Sequence, residues 1–473
     1  MKVIVVGAGI TGLTAAFRVL EHARRTGTAI ELTVLEAEAR AGGHARTLYD
    51  SEFIVETGPN GFLDRAHDSR PLDLARRLGL ESRLRESQPA ARRRFVYHRG
   101  RLRRVPSSPP SFISSDALSL RAKLRLLIEP WARAAEAGVE ESVFEFARRR
   151  IGREAAEVLV DTAVSGVSAG DSRRLSMASA FPLMLEMERE SGSLIRAMIA
   201  RRGQRRTRLV AFDGGMQTLV AELCARLGGG LRTSCAVRAI SRTASPWRLS
   251  LADGSTLEAD RLVLSVSAAR AAVLLEGFDH ALAQALGAIP FAGLAMVALA
   301  FRQTDTGPLE GYGYLVSRDE GLDTLGVVWE SSLFQGRAPR GTVLLRVMLG
   351  GALRPDVVAR SESGLIESAR REVAKVMGVS AAPQKIWVRR FPGAIAQYEV
   401  GHAGRVERVR SLAATHPGLV LCGTSYDGIS FTSAVASAAD AASRVTHDFI
   451  HPTAEASQVE SPYAAAGKTR VCA

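Results

Sequence analysis

Cysteine is scarce in this chain, and the little there is forms no pattern. Cys224, Cys235, Cys422 and Cys472 include no C-x-x-C pair, which argues against a disulfide framework or a zinc site. The nine histidines form no ligand constellation, and His447 and His451, four apart, fall at the solvated end of a C-terminal helix; no metal is expected. Long apolar runs are missing too. The most apolar stretch, residues 288–301, carries Ile289-Pro290 near its start and is too short to cross a bilayer. The N-terminal apolar run has the outline of a signal peptide but no small-residue cleavage site, so it reads as a strand. Acidic residues are outnumbered, 49 against 62 basic, for a net charge of +13. The surplus clusters at residues 92–94, 99–104, 148–150 and 201–208. These clusters lack interleaved aromatics and any nucleic-acid reading motif. An anionic membrane surface or a carboxylate-bearing substrate suits the charge better, unless it reflects only an arginine-rich genome. No internal repeat is visible.

What is present begins at the first residues. Lys2-Val-Ile-Val-Val6 is β-branched and almost continuously apolar, the pattern of a buried parallel strand. Gly7-Ala8-Gly9-Ile10-Thr11-Gly12 follows and leads directly into a helical pattern; a second strand, residues 30–35, ends on Glu36. Such a turn lets a pyrophosphate approach the backbone at a helix N-terminus, and the acid on the second strand takes ribose hydroxyls. The dinucleotide-binding reading therefore rests on strand, turn, helix and acid together, not on glycines alone.

Glu36-Ala37-Glu-Ala-Arg40-Ala-Gly42-Gly43-His44 then adds an arginine beside a glycine pair, suited to wrapping a phosphate. This run resembles the signature of the flavin amine oxidase and protoporphyrinogen oxidase superfamily, which implies that the dinucleotide is FAD. The resemblance extends over residues 2–450 through separated motifs. Gly58-Pro59-Asn60-Gly61 resembles the turn at the floor of that family's active site. Val237 matches a backbone contact to the adenine. Phe391-Pro392 stands where the family commonly has Trp-Pro, and Gly423 through Ile429 is similar to the C-terminal flavin motif, with Ser430-Phe431-Thr432-Ser433 standing in place of its usual ending.

For the substrate, the resemblance implies that Arg94 pairs with a propionate and that Gly166 and Gly170 belong to a glycine-rich substrate turn. It further implies that Gly313, Leu315, Val328 and Met348 wall a macrocycle. As sequence alone these aliphatic residues read as plain core. The fold implied is α/β (α+β overall): an FAD-binding Rossmann-like domain, a mixed-sheet substrate domain and a helical membrane-associating insertion. The expected boundaries place the FAD-binding domain at 1–88, 207–275 and 400–450. The substrate domain takes 89–110 and 276–399, the helical region 111–206, and a disordered tail 451–473. Residues 65–90 are expected to be helical, and Leu118, Leu120, Leu124, Leu127 and Ile128 to share one helical face.

The activity implied is oxidation of protoporphyrinogen IX to protoporphyrin IX in heme biosynthesis, with dioxygen reduced to hydrogen peroxide. The cofactor carries the redox step, so no catalytic side chain is named. Coproporphyrinogen III oxidation is the nearest alternative. Another flavin amine oxidase or desaturase, or a non-catalytic tetrapyrrole-binding flavoprotein, stands further off. The resemblance also implies a cytoplasmic protein touching the inner face of the membrane, and it is compatible with a homodimer or a heme-pathway enzyme partner.

Overall fold

A computed structural model describes residues 1–65, 68–106, 115–136, 138–201, 207–242 and 245–447. The expected tail, His451, Cys472, residues 107–110 of the linker and Arg202, Arg205 and Arg206 lie outside the described residues. The β-branched strand Lys2–Val6 stands at the centre of a five-stranded parallel sheet. Its neighbours are Glu31–Leu35 and Arg261–Leu264, with Leu231–Arg232 and Leu419–Leu421 at the edges. Alternation along the central strand feeds two cores. Val3 and Val5 pack with Leu13, Leu219 and Val435 from the helices Ile10–Thr26, Gln217–Leu227 and Phe431–His447. Ile4 and Val6 pack instead with Leu249 of a small antiparallel sheet and with Leu274, Leu282 and Val409 from three helices on the opposite face.

The second body is a seven-stranded mixed sheet. Its order is Lys385–Ala396, Phe291–Arg302, Thr342–Gly350, Thr324–Trp329, Gly313–Val316, Arg94–His98 and Arg101–Arg104. Pairing is antiparallel except between Gly313–Val316 and Arg94–His98. One face buries Val297, Val347 and Tyr314 under Leu365, Ala369 and Val373 of the helix Glu362–Met377. The other face turns Met296, Ala298 and Leu344 towards Phe53 and Val55, which precede the Gly58 turn.

Two expectations need correcting. Among the described residues of 65–90 there is one α-helix, Arg70–Arg77, after which Gly79 at φ +73° ends the α-helical path. Leu84–Glu86 is a strand because Arg208–Phe212, far along the chain, offers it an antiparallel partner. The five-residue apolar face also divides. Ser119 caps the helix Leu120–Leu127 through its hydroxyl, so Leu118 lies outside the helix and is buried, whereas Leu120, Leu124, Leu127 and Ile128 are exposed.

The two bodies are joined by a buried set of charges. Glu56, fully buried at the end of Phe53–Glu56, accepts from Arg337 (Nη1 to Oε1, 3.0 Å), the Thr47 hydroxyl (2.8 Å) and the Met216 amide (2.8 Å). Burial pushes its carboxyl above the ordinary range, while Arg337 and the Met216 amide pull it back. Arg346, on Thr342–Gly350, meets Glu330 (Nε to Oε1, 2.9 Å) and donates to the Gly58 carbonyl. All four side chains are at most 6 % exposed. Removing one member of such a pair strands its partner's charge, at about 3–5 kcal/mol. Arg337→Ala is therefore expected to lower unfolding stability by about that much in a urea titration, and an unchanged midpoint would mean that Glu56 holds no charge.

Candidate functional site

The dinucleotide side is built where the two ends of the chain meet. The Gly7 amide donates to the Leu35 carbonyl at 2.8 Å, closing the turn between the first two strands. Gly12 permits the close approach of helix to turn, since a Cβ there would lie 1.9 Å from the Gly7 carbonyl oxygen. Gly9 is different: a Cβ on it would meet nothing within 4 Å, so that side is open. The helix Ile10–Thr26 starts there with no side-chain cap and no acid in its first turn. Its first amides and positive dipole end are thus left for an anion.

Glu36 is fixed by its own backbone surroundings. One carboxylate oxygen accepts from the Ala8 amide (2.8 Å) and the other from the Glu38 amide (2.9 Å). Each oxygen keeps lone pairs for a diol. The Gly42 amide donates to the Ala8 carbonyl at 2.7 Å, and a Cβ on Gly43 would lie 3.2 Å from the Gly9 Cα, so the glycine pair packs on the fingerprint turn. Ala37 and Arg40 lie exposed beside it. A dinucleotide fits these residues: an open amide-lined turn, an uncapped helix start and an oriented acid.

The remaining cofactor candidates divide into two groups. His44 meets Phe391 edge-on with ring centroids 5.2 Å apart, and a Cβ on Gly58 would strike the His44 carbonyl at 1.9 Å. Phe391 thus brings a strand of the large sheet to the end of the dinucleotide site. Burial lowers the His44 pKa. Pro59 and Gly61 continue the turn that begins at Gly58, and the Asn60 amide reaches the Tyr312 hydroxyl at 3.5 Å. From the C-terminal segment, the Gly423 amide donates to the Ser437 hydroxyl (2.9 Å), and a Cβ on Gly423 would lie 4.0 Å from Thr11 Oγ1. Ile429 is partly buried against the core that holds Tyr398 and Tyr426. Ser430 accepts from the Ser433 amide at 3.0 Å and so caps the helix Phe431–His447, while Phe431 stacks on Phe62 at 5.5 Å. The serine that departs from the family's ending thus has a local role. Val237 is buried in the core and offers a ligand only its backbone.

The substrate candidates lie on the seven-stranded sheet. Leu315, Val328 and Met348 are each half-buried on strands whose other inner positions are buried. The register explains why they lie together. Leu315 pairs with Gly326 and Gly326 with Met348, while Val328 pairs with Gly313 and Arg346. All three side chains therefore point to one face. Arg94 pairs with Gly313 in the next strand, is exposed, and holds its guanidinium 5.3 Å over the Tyr312 ring. Above the wall runs the helix Thr162–Ser168, whose Gly166 would place a Cβ 2.2 Å from Leu315 Cδ2. Gly170 turns away, boxed by Leu175 and Gln397. Leu315, Val328 and Met348 thus share one face of the sheet, with the exposed Arg94 on the neighbouring strand.

Several positioning residues escape a reading of the sequence. Arg346 reaches the Gly58 carbonyl from the same sheet face, and its signal was a single charge inside Val-Leu-Leu-Arg-Val-Met. Tyr398 accepts from the Gly428 amide (2.7 Å) and donates to the Thr424 carbonyl (2.9 Å), tying down the C-terminal loop. It stacks on His402 at 3.8 Å, and Tyr426 is buried in the same core, so neither forms an aromatic cage. Among the described residues no group of acids, histidines and cysteines suits a metal.

Residues 10–446 match the family of flavin containing amine oxidoreductases. A coproporphyrinogen III oxidase of Bacillus subtilis is 31% identical over 90% of this chain and 94% of its own length. A protoporphyrinogen oxidase of Bos taurus is 32% identical over 94% of this chain and 98% of its own. A crystal structure from Exiguobacterium sp. 255-15, provisionally named protoporphyrinogen oxidase, superposes with a TM-score of 0.83 at 25% identity. It covers 94% of this chain and 99% of its own.

Two outcomes follow from this geometry. Glu36→Ala is expected to leave much of the purified protein without flavin, read from the absorbance ratio; full occupancy would remove Glu36 from the ribose site. Burial depresses His402 to about 4 from its ordinary 6.5. The unfolded chain therefore takes up the proton first as pH falls, and this contribution to stability is lost between about 6.5 and 4. His402→Leu should flatten the melting temperature in that window, and an unaltered slope would show that other groups set it.

Proposed function

The chain belongs to the flavin containing amine oxidoreductase family, and on that footing we propose that it oxidises a porphyrinogen to the porphyrin. It is a flavin-dependent oxidoreductase with FAD as its cofactor. Bound FAD supplies the acceptor for the hydride equivalents that the substrate loses. The observation that carries the reading is a wall: three half-buried aliphatic side chains in register on three strands whose other positions are mostly buried, with Arg94 on the neighbouring strand. A large apolar ring bearing carboxylates needs a flat apolar wall and a cation at its edge.

In this reading Leu315, Val328 and Met348 desolvate one face of the macrocycle. Arg94 orients a propionate, and its stacking on Tyr312 limits the freedom of its guanidinium. Arg346 holds the Gly58 turn so that the substrate wall and the cofactor turn keep a constant separation. Glu36, Gly42, Gly43 and the amides at Gly9 to Gly12 hold the dinucleotide. No side chain is assigned a proton transfer, and dioxygen is the proposed final acceptor. The inward burial of Tyr398 and Tyr426 speaks against an amine-binding cage.

The same rim would accept a porphyrinogen with four carboxylates, and the Bacillus subtilis relative acts, by its name, on coproporphyrinogen III. An aerobic fluorescence assay offering both porphyrinogens side by side tests the proposal. Porphyrin formation above the uncatalysed rate is expected, and the faster substrate identifies the physiological class. No acceleration with either would restore the desaturase and binding-protein readings.

We also propose peripheral contact with an anionic membrane. No described helix is long and apolar enough to cross one. Yet Leu120, Leu124, Leu127 and Ile128 are more than half exposed, and Trp131 beyond them is 76% exposed, beside the exposed Arg121 and Arg133. Such an apolar stripe with basic flanks lies in a lipid interface.

Arg94→Ala is expected to raise the KM for the porphyrinogen about tenfold, the scale of one lost charged contact, with flavin retained. Flavin loss on purification, or an unchanged KM, would contradict the rim assignment.

A further inference from the structure

Leu315 is wedged between two positions that lack a side chain. An ideal Cβ on Gly166 would lie 2.2 Å from Leu315 Cδ2, and one on Gly326 would lie 2.7 Å from the same atom. Gly326 is in the sheet, whereas Gly166 is in the helix Thr162–Ser168 that roofs the slot. The height of the roof above the wall is thus set to within a methyl group. That helix is only seven residues long and follows a π-helical turn, Ala156–Asp161. Neither short length nor π-helical turns lend rigidity by themselves. Something else must hold the roof.

One side chain grips it at both ends. Arg318 lies just beyond the wall strand Gly313–Val316, three residues after Leu315. Its guanidinium meets both oxygens of Asp161, at 2.9 and 3.0 Å, immediately before the roof helix. The same group donates to Asp171, just after the helix. Asp161 is 3% exposed and also accepts from the Ser172 hydroxyl at 2.6 Å. Two carboxylates already neutralise Arg318, so it is not a second rim cation for substrate.

We infer that Arg318 is a positioning residue that clamps the roof helix over Leu315 and so sets the slot's grip on the macrocycle. The inference rests on the porphyrinogen reading of the slot. A porphyrinogen has saturated bridging carbons and is puckered, whereas the porphyrin is flat, so a roof of fixed height discriminates the two by shape. A bidentate ion pair of low exposure supplies that fixity, because its planar fork tolerates little displacement.

The test is anaerobic rapid mixing of the FAD-loaded enzyme with whichever porphyrinogen the wild type oxidises, following flavin reduction against substrate concentration. Arg318→Ala should raise the half-saturating concentration about tenfold while flavin content and the limiting reduction rate stay within about twofold of wild type. Arg318→Lys, which keeps the charge but not the fork, should fall between. Asp171→Asn, which releases only one end of the roof, should shift half-saturation in the same direction and keeps the test open if Arg318→Ala does not fold. A lowered melting temperature with unchanged half-saturation would overturn the inference by leaving Arg318 a purely structural tie. Failure of the wild type itself to reduce its flavin with either porphyrinogen would overturn both the inference and the reading beneath it.

Discussion

The buried contact of Arg346 with the Gly58 carbonyl, backed by Glu330, Glu56 and Arg337, is the constraint on which the arrangement of this molecule depends. In the proposed function two bodies must meet at a fixed separation, because electron transfer between a substrate and a cofactor held by different sheets fails if either drifts. Apolar packing alone would permit sliding, since it has no direction. Charge-assisted hydrogen bonds in a water-free interior do have direction. Their burial is unfavourable unless every member finds its partner, so the set forms only in the correct register. Phe53 and Val55, packed against Met296 and Leu344, fill the space around it.

The proposed slot follows from that constraint. Its wall belongs to the sheet that carries Arg346, and Val328 is paired with Arg346 across the ladder. The cofactor turn beginning at Gly58 is held by the same guanidinium. The proposed substrate wall and cofactor floor are therefore two surfaces of one connection through Arg346. Chemistry needs little more from the protein than orientation and exclusion of water when the cofactor carries the electrons. This accounts for a site rich in aliphatic side chains and poor in acids and bases.

Legibility in the sequence tracked the range of the interactions. The strand, turn and helix from Lys2 through Gly7–Gly12, and the second strand that ends beside Glu36, were readable from spacing, because they are local events. The wall residues Leu315, Val328 and Met348 were readable only through resemblance; by composition they are core, and only the three-dimensional register leaves them half-buried. Arg346 and Glu56 meet across 290 residues, so neither could announce the other. The strand Leu84–Glu86 read as helix for the same reason, its partner Arg208–Phe212 being remote. Ser430 looked like a departure from a motif and proved to be a helix cap.

The central claim is that a porphyrinogen seated on the Leu315–Val328–Met348 wall delivers its electrons to FAD held by the Gly7–Gly12 turn. Anaerobic titration of the purified yellow protein with porphyrinogen, followed by flavin absorbance, tests this most directly. The account predicts complete bleaching by substoichiometric substrate, because one porphyrinogen carries more electrons than one flavin accepts. Flavin that stays oxidised while the porphyrinogen binds would contradict it.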